Sequence, residues 1–288
     1  MFISEKWTDY EVIDTSEGEK LERWDKYILR RPDPQVIWKT DTPHLWKNPD
    51  AEYHRSKSGG GNWEYFTKMP DRWTVSYRDM SFYVRPTGFK HTGLFPEHAV
   101  NWDFIDQKVR TREGVKVLNL FAYTGGATLA AMAAGASAVH VDASKGMVAW
   151  AKENAELSDL NHNNVRFIVD DCEKFVNREI RRGNKYDGII MDPPSYGRGP
   201  GGELWKIEDK IYDFVKLCTE VLSDNPLFVI INSYTTGLSA TVRENILKLT
   251  VQKKFGGVAY ADDIGLPVTK SGIVLPCGST GRWEAAND

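Results

Sequence analysis

The sequence has too few cysteines and too few apolar stretches for a secreted or membrane-spanning protein. Its three cysteines, Cys172, Cys218 and Cys277, are widely spaced and include no CxxC pair, so no disulfide framework is indicated. No apolar run approaches the roughly 20 residues that a membrane span requires, and the polar, charged start of the chain does not resemble a leader. We therefore expect a cytoplasmic protein with reduced thiols and no membrane association.

Strong positive charge and metal-ligand patterns are also missing. The formal net charge of −3 argues against broad electrostatic wrapping of nucleic acid, although a local basic groove is compatible with that total. The six histidines are scattered and show no metal-ligand spacing, so no metal ion is implied. At 288 residues, 41% of them apolar, the chain can form one large or two modest domains.

Aromatic residues are abundant in the first third of the chain. Residues 1–95 hold 17 of the 34 aromatics and carry 15 basic against 15 acidic side chains. Short runs at 27–29, 73–77 and 81–84 are separated by clusters rich in Gly, Pro, Asn and Asp, a pattern typical of strands and hairpins. We predict a small β-rich amino-terminal domain over 1–95, whose possible role is substrate recognition.

From residue 115 the pattern changes to strands alternating with helices. Such alternation predicts a doubly wound, mostly parallel α/β sheet, which we place in a second domain over 96–288. The last two apolar segments leave no room for a crossover helix and predict an antiparallel pair. The predicted strands are 115–121, 138–142, 165–169, 187–191 and 227–232, the pair is 256–260 with 272–276, and the helices include 127–134, 147–157, 171–182 and 240–251.

Ligands of doubly wound sheets lie beyond the carboxyl ends of the strands. The first strand ends in LNLFAYTGG, where Gly125 and Gly126 allow close approach of a ligand and Thr124 can satisfy the helix start, although a simple tight turn explains the same residues. The second ends in VHVDAS, which places Asp142 where an acid binds a ribose diol; the alternative is a cap for the helix near Ser144.

The third strand ends in VRFIVDDC. Either Asp170 or Asp171 can accept the exocyclic amine of an adenine, and the alternative is again a helix cap. A nicotinamide oxidoreductase stays possible at this stage. The first loop reads TGG rather than GxGxxG, however, which weakens the case for a bound pyrophosphate.

The fourth strand ends in MDPPSYGRGPGG. Two successive prolines donate no backbone hydrogen bond, so they stop a strand and leave carbonyl oxygens without ladder partners. An acid, free carbonyls and an aromatic side chain at a strand end indicate a place that needs hydrogen-bond acceptors. A rigid strand exit is the structural alternative.

Together, VLNLFAYTGG, VHVDAS, VRFIVDDC and IIMDPPSY resemble the class I S-adenosylmethionine-dependent methyltransferases, over roughly residues 92–232. By pattern, the nearest relatives are the bacterial large-subunit (23S) rRNA methyltransferases that modify cytosine C5 or guanine N7. The resemblance implies a seven-stranded Rossmann-like sheet and S-adenosylmethionine as cofactor. The residues it implies for the cofactor site are Phe121, Tyr123, Thr124, Gly125, Gly126, Asp142, Ala143, Asp170, Asp171, Cys172, Asp192 and His98.

The resemblance also assigns the loop after the fourth strand to the methyl acceptor. Asp192 and the Pro193 carbonyl would orient a target nitrogen and Tyr196 would stack on its ring, so these three are the predicted catalytic residues. The predicted substrate-binding residues are Pro194, Ser195 and Arg198.

The lack of a suitably placed cysteine narrows the choice of acceptor atom. Cytosine C5 enzymes attack the base with a thiolate. The segments at the ends of the fourth and fifth predicted strands read DPPSYG and INSYTTG, and neither contains a cysteine. We therefore predict a methyltransferase acting on a base of RNA, which the resemblance implies is rRNA, with a nitrogen acceptor preferred. The alternatives are a methyltransferase for a small molecule or protein, and a cofactor-binding, RNA-associated module without turnover.

Overall fold

The computed structural model describes residues 1–56, 60–160, 162–198, 204–234 and 237–286. The chain divides into two compact units. The amino-terminal unit comprises Phe2–Ala99 and Gly265–Cys277, and the sheet unit comprises Met1, Val100–Ile264 and Gly278–Asp288. These units are defined by contacts between residues alone. The functional domain boundary predicted after residue 95 therefore stays a prediction.

The amino-terminal unit is built from strands, as its composition predicts. Five of them form a mixed sheet in the order β2-β3-β4-β5-β6, in which only the pairing of β4 with β5 is parallel among these described strands. Strand β7 pairs with β8 as a hairpin. Trp24, Trp73 and Phe82 are buried, so much of the aromatic content forms the core of this unit. The strands are β1 (Phe2–Ile3), β2 (Tyr10–Ser16), β3 (Glu19–Trp24), β4 (Tyr27–Pro32), β5 (Ala51–Arg55), β6 (Gly61–Tyr65), β7 (Trp73–Tyr77) and β8 (Met80–Val84).

The sheet unit confirms the predicted doubly wound architecture. Its strands follow the order β16-β17-β15-β12-β9-β10-β11, with β15, β12, β9, β10 and β11 parallel and β17 antiparallel to β15. Every residue of β12 and β15 is buried, which explains their continuous apolar sequences. The strands are β9 (Lys116–Leu120), β10 (Ser137–Asp142), β11 (Val165–Val169), β12 (Gly188–Met191), β13 (Tyr196–Arg198), β14 (Leu204–Lys206), β15 (Phe228–Ser233), β16 (Val258–Pro267) and β17 (Val274–Glu284).

Helices connect these strands close to the predicted positions. Ser144 caps α3 and Asp171 caps α4 through side-chain acceptors, and Gly183 ends α4 in the left-handed conformation. The helices are α1 (Ala99–Val109), α2 (Gly126–Ala133), α3 (Lys145–Leu157), α4 (Cys172–Arg182), α5 (Ile207–Cys218), α6 (Ala240–Leu247) and α7 (Lys253–Phe255), with a π-helical stretch at Lys248–Gln252. Within the described ranges, no helix combines the length and the apolar character needed to cross a membrane.

The last two strands are longer than the sequence pattern predicts. The expected pair covered 256–260 and 272–276, whereas β16 has ten residues and β17 has eleven. The additional residues include Asp262, Asp263 and Gly278, which do not alternate in polarity as an isolated half-buried strand would. Pairing of β17 with β15, from Ser279 to Glu284, supplies the stabilisation that local sequence does not indicate.

Candidate cofactor and acceptor site

The carboxyl ends of three neighbouring strands are in register at the centre of the sheet. Leu120 of β9 lies opposite Met191 of β12 on one side and Val141 of β10 on the other. The pairing extends beyond the strand ends on both sides. The Asp192 amide donates to the Leu120 carbonyl at 3.3 Å, and the Ala122 amide donates to the Val141 carbonyl at 3.1 Å. The loops after β9 and β12 therefore begin at the same edge, where strand order reverses and ligands of such sheets bind.

The loop after β9 has a strained backbone. Phe121 and Tyr123 adopt positive φ values of 55° and 50°, which side chains rarely occupy and which cost about 1–3 kcal/mol each. Hydrogen bonds hold this conformation: the Tyr123 amide donates to Asp142 Oδ2 at 2.9 Å, and Asn154 Nδ2 of α3 donates to the Thr124 carbonyl at 2.9 Å. Such strain persists only where the surroundings enforce it, and it is concentrated at functional sites.

Both glycines of the loop are required by the protein itself. Gly125 has φ +91°, a conformation that favours glycine, and a Cβ there would lie 3.0 Å from Ala151 Cβ. A Cβ on Gly126 would lie 2.5 Å from Trp102 Cζ2 of α1, so this glycine allows the helix to pack. The tight-turn interpretation is therefore correct as far as it goes, and contact of these glycines with cofactor stays a prediction.

Asp142 joins the ends of two strands. Its Oδ2 accepts the Tyr123 amide at 2.9 Å and its Oδ1 accepts the Ser144 amide at 2.8 Å. The cap of α3 is Ser144, not Asp142. Burial raises the pKa of Asp142, although the two amide donors lower it. A carboxylate has about four acceptor positions, so two remain after these bonds.

The two acids after β11 are used differently. Asp170 forms an ion pair with Arg178 and accepts the Asp171 amide at 2.8 Å. Asp171 caps α4 by accepting the Lys174 amide through Oδ1 at 2.9 Å. Because the Asp170 carboxylate is taken up by Arg178, Asp171 is the better placed of the two to accept from an adenine.

The Cys172 thiol is part of the core behind the first loop. It is 3% exposed, its Sγ accepts the Phe121 amide at 3.3 Å, and burial raises its pKa well above the ordinary value. The thiol therefore supports Phe121. The predicted contact between residue 172 and adenine would therefore involve the backbone at the start of α4.

Two other predicted cofactor residues complete this set. Ala143 is exposed between Asp142 and the cap of α3. His98 lies in the amino-terminal unit, buried at the end of the short helix Pro96–His98, and its expected place over the cofactor stays a prediction. In the described part of the chain, no three His, Cys, Asp or Glu side chains are arranged to hold a metal ion.

Exposure increases along the loop after β12. Asp192 is half-buried, Pro193 is buried, Pro194 and Ser195 are exposed, and Tyr196 is 59% exposed. Two carbonyls of this loop are engaged: Trp205 Nε1 donates to Pro194 at 2.7 Å and the Ile207 amide donates to Ser195 at 3.0 Å. Tyr196 then begins a short hairpin of β13 with β14, facing Lys206 in register.

Arg198, predicted to contact substrate, ends β13 opposite Leu204. Its side chain lies outside the described part, so the predicted contact with phosphate or carboxylate stays a prediction.

The sequence analysis missed a buried polar group beneath the first loop. Thr128 Oγ1 accepts from Asn119 Nδ2 at 2.9 Å and lies 2.9 Å from His140 Nδ1, and none of the three is more than 2% exposed. Burial lowers the pKa of His140 to about 3, so the ring is neutral. The available signal was the polar residue inside each of the apolar strands VLNL and AVHV.

It also missed Trp205. This side chain contacts the loop after β12 by a hydrogen bond and the loop after β9 by a ring contact with Phe121, at a centroid distance of 5.1 Å. No local signal was available, because a tryptophan in a short segment after a glycine-rich stretch has no distinctive spacing.

A profile of the S-adenosylmethionine-dependent methyltransferases matches residues 53–245, more than half of the chain. The chain belongs to this family. It is 35% identical to the SAM-dependent methyltransferase of Agrobacterium tumefaciens, whose crystal structure superposes with a TM-score of 0.94 over 99% of this chain and 93% of that one. The predicted class, fold and cofactor are thereby confirmed.

Further relatives extend the comparison. The ribosomal RNA large subunit methyltransferase K/L of Shewanella sp. (strain MR-4) is 31% identical over 65% of this chain and 25% of its own length. The protein of the same name from Colwellia psychrerythraea is 28% identical over 74% of this chain and 28% of its own. The chain thus spans about a quarter of the length of these curated relatives. The structure of SMU.776 complexed with SAH, at 18% identity, shares the fold with a TM-score of 0.75 over 96% of this chain and 76% of that one.

The edge residues fit S-adenosylmethionine in the chemistry of their groups. Asp142 keeps acceptor capacity for two hydroxyls, and Asp171 offers a carboxylate one strand further on. These are a diol acceptor and an amine acceptor. The predicted assignment of each group to a part of the cofactor remains a proposal.

Proposed function

We propose that this protein transfers a methyl group from S-adenosylmethionine to a nitrogen of a base in ribosomal RNA. The observation that carries the proposal is the loop from Asp192 to Tyr196, which starts at the same sheet edge as the cofactor loop and presents acceptors and an exposed ring. A base that stacks on Tyr196 would have its polar edge near Asp192.

On the cofactor side, S-adenosylmethionine supplies an electrophilic methyl group on a positively charged sulfur. In this proposal Asp142 accepts the two ribose hydroxyls and Asp171 accepts the adenine amine. The bonds from Tyr123 and Ser144 fix the Asp142 carboxylate before any ligand arrives, so little ordering is needed on binding.

On the acceptor side, the Asp192 carboxylate and the Pro193 carbonyl accept hydrogen bonds from the base and aim the nitrogen lone pair at the methyl group. Transfer to nitrogen by in-line displacement depends on orientation more than on a strong base, so fixed acceptors can supply much of the rate. The Pro194 carbonyl already accepts one hydrogen bond, from Trp205 Nε1 at 2.7 Å, so the proposal assigns this role to Pro193.

A nitrogen acceptor is favoured over cytosine C5 by the state of the thiols. A C5 mechanism requires a thiolate that attacks the base. Cys172, Cys218 and Cys277 are all buried, and burial raises the pKa of each. The thiol nearest the first loop, Cys172, is occupied with the Phe121 amide.

Ribosomal RNA as substrate is supported by relatives at about 30% identity that are named ribosomal RNA large subunit methyltransferases, although this chain spans only about a quarter of their length. The predicted recognition role of residues 1–95 and the cytoplasmic location belong to the same proposal. Methylation of a small molecule or a protein is the main competing activity.

The test is methyl transfer in vitro. Purified protein is incubated with S-adenosylmethionine and with large-subunit rRNA transcribed in vitro, and digested nucleosides are analysed by mass spectrometry. We expect one N-methylated nucleoside that is absent without enzyme. Formation of 5-methylcytidine would overturn the nitrogen preference, and transfer only to a protein or metabolite fraction would overturn the RNA substrate.

Cofactor binding is measured beside this assay. Calorimetry with S-adenosylmethionine and with NAD should give binding of the first alone, since the first loop lacks the GxGxxG pattern. Cofactor binding without transfer to any of these acceptors would instead favour a module without turnover.

A further inference from the structure

Trp205 lies in a closed triangle of aromatic rings between the two loops of the site. Its centroid is 5.1 Å from that of Phe121 and 5.6 Å from that of Phe214, and Phe121 and Phe214 are 5.5 Å apart. The three residues come from the loop after β9, from β14 and from α5. Aromatic pairs at these distances and tilts attract one another beyond their apolar contact.

Two sides of the triangle are fixed by the rest of the protein. Phe214 is 3% exposed on the apolar face of α5. Phe121 is held by the hydrogen bond from its amide to Cys172 Sγ at 3.3 Å. Trp205 therefore rests on a firm surface that belongs partly to the cofactor loop.

The acceptor loop contains two successive prolines, which limits how its backbone can be held. Pro193 and Pro194 have no amide hydrogen, so this part of the loop can be anchored only through carbonyls and side chains. Trp205 Nε1 binds the Pro194 carbonyl at 2.7 Å, and Trp205 also faces Gly197 in the pairing of β13 with β14. One residue thus contacts the loop before and after Tyr196.

This bond also separates the roles of the two prolines. The Pro194 carbonyl is occupied by the indole, while the Pro193 carbonyl accepts no hydrogen bond within the described ranges. The carbonyl left over is the one adjoining Asp192.

We propose that Trp205 is a positioning residue for methyl transfer, which fixes the acceptor loop Asp192–Tyr196 relative to the cofactor loop through its indole N–H and its contact with Phe121. This rests on the proposed function for its kinetic consequence. The claim about loop position stands independently of the substrate.

The chain offers a matched control for the substitution. Trp283 Nε1 also donates to a backbone carbonyl, that of Gly256, at 2.7 Å. Trp283 is fully buried and pairs with Val229 near the start of β15, at the opposite end of that strand from the site. Trp205→Phe and Trp283→Phe therefore remove the same type of bond in two places.

The kinetic arm compares both variants and Trp205→Ala on rRNA transcribed in vitro. Trp205→Phe keeps a ring beside Phe121 and should lower kcat about two- to tenfold, the effect of one net hydrogen bond. Trp205→Ala should lower kcat by roughly a hundredfold, as expected for an acceptor misplaced by about 1 Å. The affinity for S-adenosylmethionine should change less than twofold in Trp205→Phe, and Trp283→Phe should retain the wild-type kcat. Equal kcat in wild type and Trp205→Ala would overturn the proposal.

The second arm needs no substrate. Amide hydrogen exchange at Ser195, Tyr196 and Gly197 should be faster in Trp205→Phe than in wild type and unchanged in Trp283→Phe. If wild-type protein leaves the RNA unmethylated, the proposed function fails, and the exchange rates still decide the role of Trp205. Equal exchange in all three proteins would overturn that role.

Discussion

The strand ends that we propose as the cofactor edge and the loop that we propose for the acceptor adjoin one another, yet they are built differently. At the ends of β9, β10 and β11, carboxylates and backbone groups are already bound by the protein: Asp142 to two amides, Asp170 to Arg178, and Phe121 to Cys172. After β12, Tyr196 is 59% exposed and two prolines remove the usual donors. We call the first the rigid region, because its groups are held by bonds within the protein, and the second presents an exposed ring and two prolines without an amide hydrogen.

Under the proposed function, the difference follows from what each region would bind. A cofactor has one structure, so a fully formed site binds it without further ordering. A base within a large RNA would arrive from solvent, so the groups that contact it must be accessible. Substitutions in the two regions should therefore have separable effects, on cofactor affinity in one and on turnover in the other.

The largest effect is expected at Asp192. In Asp192→Ala the acceptor nitrogen loses one of its two proposed anchors, and a displacement of about 1 Å can reduce the rate by on the order of a hundredfold. We expect kcat to fall at least that far while calorimetry gives an unchanged affinity for S-adenosylmethionine. A parallel loss of affinity would show that Asp192 belongs to the cofactor edge instead.

Tyr196 tests the exposed ring of the same loop. Stacking of a base on an aromatic side chain contributes about 1–3 kcal/mol, so Tyr196→Ala should lower kcat/KM roughly 5- to 150-fold. Tyr196→Phe keeps the stacking surface and is the matched control, with little expected change. If both variants lose activity equally, the hydroxyl takes part and the stacking role is wrong.

Asp142 tests the rigid region. Each charge-assisted hydrogen bond to a ribose hydroxyl is worth about 1.5–3 kcal/mol, and about 1.4 kcal/mol corresponds to a factor of ten. Asp142→Ala should weaken cofactor binding at least about tenfold by calorimetry, also because the Tyr123 and Ser144 amides lose their acceptor. Asp142→Asn keeps one carbonyl oxygen and should lie between. Unchanged affinity in folded Asp142→Ala would remove this residue from the site.

The sequence predicts which residues lie at the carboxyl ends of the strands better than it predicts the contacts of the loop after β12. Asp142 ends β10, Asp171 lies two residues after β11 and Asp192 directly follows β12, and parallel strands bring their carboxyl ends together. Trp205 could not be found that way, since its contacts with Pro194 and Phe121 join separate segments with no common spacing. The same reason applies to Gly265–Cys277, which belongs to the amino-terminal unit although it lies near the end of the chain.

The long terminal strands show the limit of periodicity in another way. The segments beyond 256–260 and 272–276 contain charged residues, Gly and Pro, which disfavour strands locally. They form strands because neighbouring backbone supplies the hydrogen bonds, as between β17 and β15. Fold class survives such errors because it depends on the order of elements, whereas strand length depends on neighbours.

His140 links the rigid region to pH. Its pKa is lowered to about 3 in the folded protein by burial, against 6.5 for an ordinary histidine. A lowered folded-state pKa favours unfolding in acid. The contribution of neutral His140 to the free energy of unfolding is fully present above pH 6.5 and is lost as the pH falls towards 3. For one proton the loss is about 1.4 kcal/mol per pH unit. His140→Asn keeps a polar group near Thr128 but removes the ring that takes up a proton in acid. Denaturant unfolding from pH 7 to 4 should show the wild type losing more stability than the variant, and parallel curves would contradict the assignment.

The smallest effect on turnover is expected at the thiols. Cys172 lies at the rigid edge and Cys218 on the buried face of α5, and burial raises the pKa of both, so neither supplies a thiolate. Cys218→Ala should leave kcat unchanged and reduce stability by about 1–3 kcal/mol, as for other buried positions. Cys172→Ala removes the acceptor of the Phe121 amide as well, so any additional change should be in cofactor affinity rather than in kcat.

These expectations are checked by measuring kcat and, by calorimetry, the affinity for S-adenosylmethionine of both variants, with mass spectrometry of the protein after incubation with RNA. A covalent adduct between RNA and either cysteine would overturn the nitrogen acceptor and place nucleophilic chemistry in the region that we describe as a fixed support.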